Sequence, residues 1–516
     1  MSQPIIIGSR GSDLALWQAN YTKRQLEAQG YTVSIQIIKT QGDRIQHLSF
    51  DKMEGKGFFT KELEEALLAG TIDLAVHSYK DLPSIQPPGL LIAGISDRAH
   101  PSDVLLVRDE VADPTALWQL PEGAVVGTSS ARRKSQLLLF RPDVKLKDIR
   151  GNVPTRINKL REGQFDAILM AKAGLDRIEP DISGLQRHVF DPTQFVPAPA
   201  QGVLAFQIRE KDEAMATAIA QITDKATAAV NYIERETLKI LEGGCQIPLG
   251  IYARQEEGAY HVWCSYSESW DGIPHRVHFS ASQAAALPQQ VLQNIRQKIN
   301  HRLFISRPQS SDSLFSRLME HRGAQVTGAS LVDFAPVALD QLPPASIYCF
   351  SSRNAVRFLH QQHPQPPAGQ LWALGEGTAQ ALREVGWHPT VVGNGDAAAM
   401  AQHLAEAKPD KVVFPLAKSS RASIQAALPG EMDYENVVVY DNMPKTGIHL
   451  PEVDIAVLTS PMNAAVFCSQ YSYPMPKLVA IGRPTKEALE EMTTAPVKMA
   501  YAPTEWALAD TVSAMV

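Results

Sequence analysis

Ile72-Asp73-Leu74-Ala75-Val76-His77-Ser78-Tyr79-Lys80-Asp81-Leu82-Pro83 sets an apolar run directly against a charged turn. The first six residues read as a buried strand, and the polar residues follow at its carboxyl end. In open α/β sheets that end is where ligands bind. The same design recurs along the chain. Ile5-Ile6-Ile7-Gly8 is a short strand, and Ser12 or Asp13 caps a helix that runs to about Gln29, with Gly30 stopping it. Leu14, Trp17 and Tyr21 share one face of that helix. Val125–Ser130 is a strand and helix start followed at once by Arg132-Arg133, and Arg150-Gly151-Asn152-Val153-Pro154-Thr155-Arg156 repeats the device. Strands that each deliver a polar turn into a helix predict β/α lobes.

Several features bound the function. At 516 residues the chain is too long for one core, which predicts several domains. With 44% hydrophobic and 20% charged residues it has a globular composition. No stretch approaches the roughly 20 apolar residues of a membrane helix, and the amino terminus shows no export pattern. Four cysteines (Cys245, Cys264, Cys349 and Cys468) lie far apart with no Cys-x-x-Cys pair. That argues against a disulfide framework or a metal site and predicts a cytoplasmic protein. The net charge of −6 speaks against nucleic-acid binding and, with the missing apolar spans, leaves neither nucleic acid nor membrane as a partner. Oligomeric state is not encoded in any of these features.

Charge is unevenly distributed. Residues 131–161 hold ten Lys or Arg against Asp143 and Asp148, a local excess of +8. Such a run is either a solvated basic face or the seat of a small polyanion. Arg10 and Ser12 also stand at a helix amino terminus, where backbone N–H groups favour an anion. A further irregular stretch, Leu241-Glu242-Gly243-Gly244-Cys245-Gln246-Ile247-Pro248, puts a thiol at a glycine-built turn. Spacing alone leaves two readings open there, a tether or nucleophile and an ordinary loop cysteine.

Taken together these stretches resemble hydroxymethylbilane synthase, also called porphobilinogen deaminase, over roughly the first 300 residues. The matching motifs are Gly-Ser-Arg-x-Ser-x-Leu-Ala-Leu-Trp-Gln, His-Ser-x-Lys-Asp-x-Pro, Gly-Thr-Ser-Ser-x-Arg-Arg, Arg-Gly-Asn-x-x-Thr-Arg and Leu-Glu-Gly-Gly-Cys-Gln-Ile-Pro. The resemblance implies that Cys245 carries a dipyrromethane cofactor through a thioether, and that Asp81 is the catalytic carboxylate. It assigns Lys80, Ser129, Arg132, Arg133, Arg150, Gly151 and Asn152 to the cofactor. Arg10, Ser12, Lys52, Lys56, Phe59, Arg156 and Arg177 go to the substrate porphobilinogen, with Lys52–Phe59 as a lid. Ala131 replaces the family's leucine, and Pro199-Ala200-Gln201-Gly202 stands for Val-Gly-Gln-Gly.

After His301 the pattern restarts. Leu303–Ser306, Ile347–Ser351, Leu371–Gly375, Lys411–Pro415, Ile455–Thr459 and Leu478–Gly482 are short apolar strands ending in small or hydroxyl residues, which predicts a parallel α/β region able to fold alone. Cys349 and Cys468 read as buried thiols within it. Phe350-Ser351-Ser352-Arg353-Asn354-Ala355-Val356, Leu458-Thr459-Ser460-Pro461-Met462-Asn463-Ala464 and Ile481-Gly482-Arg483-Pro484-Thr485 resemble uroporphyrinogen-III synthase. That resemblance gives Ser351, Ser352, Tyr440, Thr459, Ser460 and Thr485 to substrate binding.

The implied fold class is α/β. Two hinged lobes like those of periplasmic binding proteins span 1–100 (completed by 195–220) and 101–194. A small α+β cofactor-carrying domain spans 221–298. A two-lobed parallel α/β region follows, with one lobe of 301–335 completed by 441–516 and the other of 336–440. The implied activity is bifunctional. Four porphobilinogen molecules condense with loss of ammonia, and the linear product closes to uroporphyrinogen III. A deaminase with a non-catalytic carboxyl-terminal appendage, and a two-lobed anion-binding protein, are the alternatives. Cys245→Ser is expected to fold yet lack the covalent adduct in an intact-mass spectrum, because a thioether needs sulfur. Full adduct mass in that variant contradicts the attachment.

Overall fold

The computed structural model describes residues 4–39, 60–241 and 247–516. Its first sheet orders the strands Val33–Ile37, Ile5–Ser9, Leu74–Ser78, Leu204–Arg209 and Leu90–Ile95. The first three run parallel, and Leu204–Arg209 returns antiparallel to both its neighbours. Helix Asp13–Ala28 covers this sheet. Ser12 caps it by accepting the Ala15 N–H, and Gly30, at φ +88°, turns the chain away. The helix buries Ala19, Thr22 and Leu26 rather than the face of Leu14, Trp17 and Tyr21. That second face is half-buried, and its Trp17 meets the second lobe.

The second sheet orders Lys145–Lys147, Val125–Gly127, Ala167–Ala171, Asp103–Arg108 and Leu185–Val189. The chain therefore crosses between sheets twice, once before Asp103 and once before Leu204. Near the return crossing Ala200 takes a left-handed backbone, φ +62°, at the position where the resembling family has glycine. Such a conformation costs an alanine about 1–2 kcal/mol. It is held by Glu234, whose carboxylate accepts the Ala200 N–H at 2.7 Å. The same carboxylate grips Arg98 at 2.7 and 3.0 Å and the Ala253 N–H at 2.7 Å. One fully buried acid thus ties both crossings to the next unit.

That unit is a three-stranded antiparallel sheet, Leu249–Glu256, Ala259–Tyr266 and His275–Ala281, packed on helices Lys225–Ile240 and Leu287–Ile295. Two further sheets follow. One, ordered Gln325–Gly328, Arg302–Ile305, Ile455–Leu458, Lys477–Ala480 and Val497–Met499, is wholly parallel. The other, ordered Val332–Pro336, Tyr434–Pro444, Val412–Ala417, Ile347–Phe350, Gln370–Ala373 and Val391–Val392, is parallel except for its antiparallel edge strand Val332–Pro336. Cys349 is buried in strand Ile347–Phe350. Cys468 sits on helix Pro461–Gln470 and is only half-buried, because that helix turns part of its surface to solvent. Among the described residues no helix is long and apolar enough to cross a membrane.

The carboxyl-terminal region does not stand apart from the rest. Leu139 and Ile299 belong to the same apolar cluster as Leu303, Phe315, Ile455 and Leu508. Arg276 of the three-stranded sheet is 2% exposed and meets the fully buried Asp510 through two contacts of 3.1 Å. Its other donors reach the carbonyls of Gln194 and Thr193, and Tyr501 donates to Asp510 at 2.8 Å. Residues from 301 onward, expected to fold alone, are thus packed against the rest through a buried ion pair. Cutting there strands a carboxylate and a guanidinium inside an apolar interface. Asp510→Asn, nearly isosteric, is expected to destabilise the whole chain by about 3–5 kcal/mol, since it leaves Arg276 buried and unpaired. Chemical denaturation followed by probes in both halves checks this, and an unchanged midpoint refutes it.

Candidate functional site

The strand Leu74–Ser78 delivers its polar turn as a single 3-10 turn, Tyr79–Asp81, anchored by the buried Leu82. Asp81 is exposed and Lys80 half-buried. Lys80 Nζ donates to Gln201 Oε1 at 3.3 Å. The fully buried Gln201 in turn donates to the Pro101 carbonyl at 2.7 Å and to Asp103 Oδ1 at 3.1 Å. Asp103, also fully buried, accepts Arg132 Nη1 at 2.6 Å and Arg133 Nε and Nη2 at 3.0 and 2.8 Å. One run of hydrogen bonds thus passes from the first lobe through both crossings into the second.

Electrostatics follow this geometry. Burial lowers Lys80 to about 8, with Arg133 and Arg132 adding to the shift and Asp81 opposing it. Burial alone would raise the Asp103 carboxyl, but Arg132 and Arg133 outweigh it and hold it well below the usual range. Arg156 is lowered to about 10 by burial and by Arg133, while the charge of Asp81 works the other way. Asp81 of one lobe is thus close enough for its charge to act on Arg156 of the other. Lys80, Arg132, Arg133 and Arg156 outnumber Asp81 and Asp103, so the cleft carries an excess of positive charge suited to carboxylates.

The turn Arg150–Arg156 is shaped by its glycine. Gly151 has φ +115°, and a Cβ there would lie 2.6 Å from Thr155. Asn152 caps helix Val153–Arg161 by accepting the Thr155 N–H at 3.0 Å, and Arg156 Nε donates to the Gly151 carbonyl at 2.8 Å. Arg150 is half-buried beside it. Ser129 and Ser130 immediately precede helix Ala131–Phe140. Ser130 occupies the cap position without a side-chain bond, and Ser129 instead exchanges hydrogen bonds with the Ile149 backbone, at 2.9 and 3.1 Å. Ser129 so staples the Arg150 turn to the end of strand Val125–Gly127.

Other expected residues lie elsewhere. Arg10 is half-buried at the carboxyl end of strand Ile5–Ser9, near enough to act on His77, which burial first and then Arg10 bring down to about 4. Arg177 stacks on Trp17 at 5.2 Å and donates to the Gly202 carbonyl at 2.8 Å, bridging the lobes. The charged groups that act on it are Asp97, Tyr21 and Asp176, not Asp81. Lys52, Lys56, Phe59 and Cys245 fall outside the described residues. Sequence reading passed over Asp103, although an acid opening the apolar run Asp103–Arg108 was the available signal.

In the carboxyl-terminal half the expected hydroxyls gather at strand ends. Ser352 caps helix Arg353–Gln362, and its Oγ lies 3.1 Å from the hydroxyl of the buried Tyr440. Ser351 beside it is exposed. Thr459 is linked to Ser306 through three hydrogen bonds of 2.8–3.0 Å. Ser460 caps helix Pro461–Gln470 by accepting the Asn463 N–H at 3.1 Å. Thr485 lies within helix Arg483–Met492 and, like Tyr440, is buried, at 2% exposure. Among the described residues no cluster of His, Cys, Asp and Glu could hold a metal.

Residues 5–217 match the family model described as porphobilinogen deaminase, dipyromethane cofactor binding domain. The porphobilinogen deaminase of Nitratiruptor sp. is 45% identical over 249 residues, 48% of this chain and 78% of that protein. The chain belongs to the porphobilinogen deaminase family. The enzyme of that name from Helicobacter acinonychis is 47% identical over 251 residues, covering 48% of this chain and 80% of its own length. Residues 313–510 match a second model, uroporphyrinogen-III synthase HemD. The uroporphyrinogen-III synthetase structure from Helicobacter pylori 26695 aligns with 42% of this chain and 99% of its own, at 19% identity and TM-score 0.32. The deaminase half is thus fused to a synthase half.

Lys80 gives a pH test. With its ammonium destabilised by burial, it is charged below about pH 8 and neutral above. If that charge holds a carboxylate, kcat/KM for porphobilinogen falls on the alkaline side near pH 8. Lys80→Arg moves that limb upward whatever its absolute rate. An identical limb in the variant removes Lys80 as its source.

Proposed function

We propose that the two halves perform successive steps of tetrapyrrole formation, with the deaminase chemistry centred on Asp81. The observation that carries this reading is the hydrogen-bonded run from Lys80, beside Asp81, through Gln201 and Asp103 to Arg132 and Arg133, joined to a deaminase family match. The chain is a bifunctional enzyme of porphyrin biosynthesis, a deaminase followed by a uroporphyrinogen-III synthase. The first half condenses four porphobilinogen molecules into hydroxymethylbilane, and the second cyclises it.

The matched deaminase model is a dipyrromethane cofactor-binding domain, and the residues here fit such a group. Two buried guanidiniums share a single carboxylate, so positive charge remains to meet acetate and propionate side chains. Arg132, Arg133, Lys80 and the Arg150-Gly151-Asn152 turn would hold it, with Cys245 as its attachment point. When bound, the dipyrromethane supplies the free pyrrole α-carbon onto which substrate is added.

The side chains divide the remaining work. Arg156 and Arg10 are placed to take the carboxylates of incoming porphobilinogen. As ammonia leaves, positive charge spreads over the pyrrole ring and its nitrogen. Asp81, at the mouth of a cleft lined with cations, is the negative group able to stabilise it. The ten basic residues of 131–161 raise the local concentration of a polyanionic chain as it grows.

We further assign 1–100 with 195–220 and 101–194 to the two deaminase lobes, 221–298 to the cofactor-carrying domain, and the remainder to two synthase lobes near the boundaries already given. A cytoplasmic site suits the separated, free thiols of Cys264, Cys349 and Cys468.

The test uses the intact chain. Asp81→Asn is expected to lower porphobilinogen consumption by about 10²–10³. The same protein, given hydroxymethylbilane, still forms the type III isomer. Normal single-turnover consumption in the variant removes Asp81 from the chemistry. Only the type I isomer from the unaltered chain refutes the synthase assignment.

A further inference from the structure

The synthase half holds an arginine that neither the motifs nor the hydroxyl pattern singled out. Strand Arg302–Ile305 lies between Gln325–Gly328 and Ile455–Leu458, which the chain reaches in opposite directions. Its carboxyl end is therefore the switch point where α/β sheets open a ligand crevice. Ser306, tied to Thr459, and Arg307 are the residues placed there.

Arg307 is poorly served by the protein. Its Nη1 lies 3.4 Å from Glu505 Oε1, and the other oxygen of Glu505 accepts the Phe315 N–H at 3.1 Å, which fixes the acid. Arg307 Nε and Nη2 are buried, yet have no hydrogen-bond partner among the described residues. Buried donors on a charged group are costly to leave unmade. The second synthase sheet adds to the imbalance. Strand Ile347–Phe350 sits at its own switch point, between Gln370–Ala373 and Val412–Ala417, and leads through Ser351 and Ser352 into Arg353. Burial first, and then the charge of Arg353, lower the affinity of Arg307 for its proton, with only Glu505 opposing. The charge of Arg353, just past the end of that strand, is thus close enough to act on Arg307. On one side Gly395 lies close to Pro503, near enough that a Cβ there would come within 3.8 Å of it.

We propose that Arg307 is a substrate-positioning residue of the synthase half, its Nε and Nη2 taking one carboxylate of the linear tetrapyrrole in two-point fashion opposite Arg353. A carboxylate is the ligand that satisfies both donors at once and lies favourably between two guanidiniums. Glu505 holds the fork in orientation, and the Ser306–Thr459 and Ser352–Tyr440 hydroxyl pairs flank the same two strand ends. This rests on the synthase reading of the second half. It adds a charged anchor to a site otherwise built from hydroxyls and helix amino termini.

The experiment supplies hydroxymethylbilane to the full chain and follows uroporphyrinogen III formation against concentration for the unaltered protein, Arg307→Gln and Arg307→Lys. Arg307→Gln is expected to raise KM about ten- to a hundredfold. Arg307→Lys keeps the charge without the fork and is expected to fall between. Escaped bilane then closes without the synthase, so the type I fraction rises in the same order. Porphobilinogen consumption, measured on the same samples, stays at the unaltered level and reports that each variant is folded. If Arg307→Gln costs that consumption, Arg307→Lys alone decides the matter. A KM within twofold of the unaltered chain in the folded variants overturns the role of Arg307 and leaves the synthase reading intact. Type I alone from the unaltered chain overturns both.

Discussion

The cleft of the deaminase half depends on one buried carboxylate. Asp103 sits where the chain first enters the second lobe and accepts three bonds from two guanidiniums and a fourth from Gln201. A lone buried carboxylate is very costly, and a lone buried guanidinium nearly as much so. Sharing one acid between Arg132 and Arg133 makes their burial tolerable, and leaves a net positive charge facing the cleft. Because Gln201 belongs to the other crossing and also receives Lys80, the same contact sets how the lobes stand relative to one another.

The crossings and the halves are fastened by the same kind of interaction. Glu234 gathers Arg98, Ala200 and Ala253, holding the left-handed Ala200 in place and joining both lobes to the small domain. Arg276 and Asp510, with the carbonyls of Thr193 and Gln194, join that domain and the second lobe to the synthase. Arginine suits each site because its planar fork satisfies several acceptors at once. The two halves are therefore joined through a buried, charge-paired contact.

The halves solve related binding problems with different chemistry. The deaminase half concentrates guanidiniums and an ammonium in a network beside Asp81. The synthase half offers capped helix starts and hydroxyls at Ser352, Thr459 and Ser460, with Arg307 and Arg353 as its charged members. Neutral donors let a flexible polycarboxylate settle and refold, whereas a dense cationic surface would pin it.

Local sequence determined a good deal by itself. Short apolar runs ending in polar turns gave the strands from Ile5–Ser9 to Lys477–Ala480, because period, length and capping residues act within a few positions. The motifs around Asp81, Arg132 and Arg150 were legible for the same reason, since a turn and its adjoining helix start are contiguous in the chain. Tertiary structure decided the rest. Asp103 is one acid in an apolar strand until folding brings Arg132, Arg133 and Gln201 around it from about 30 and 100 residues away. Arg177, grouped with the substrate arginines by motif, is held on Trp17 because the helix face of Leu14, Trp17 and Tyr21 meets the other lobe. The restarted strand rhythm after His301 suggested an independent unit. Only the fold could show what fastens that unit to the rest, because the Arg276–Asp510 contact joins residues 234 positions apart, and no local pattern records a burial that depends on both.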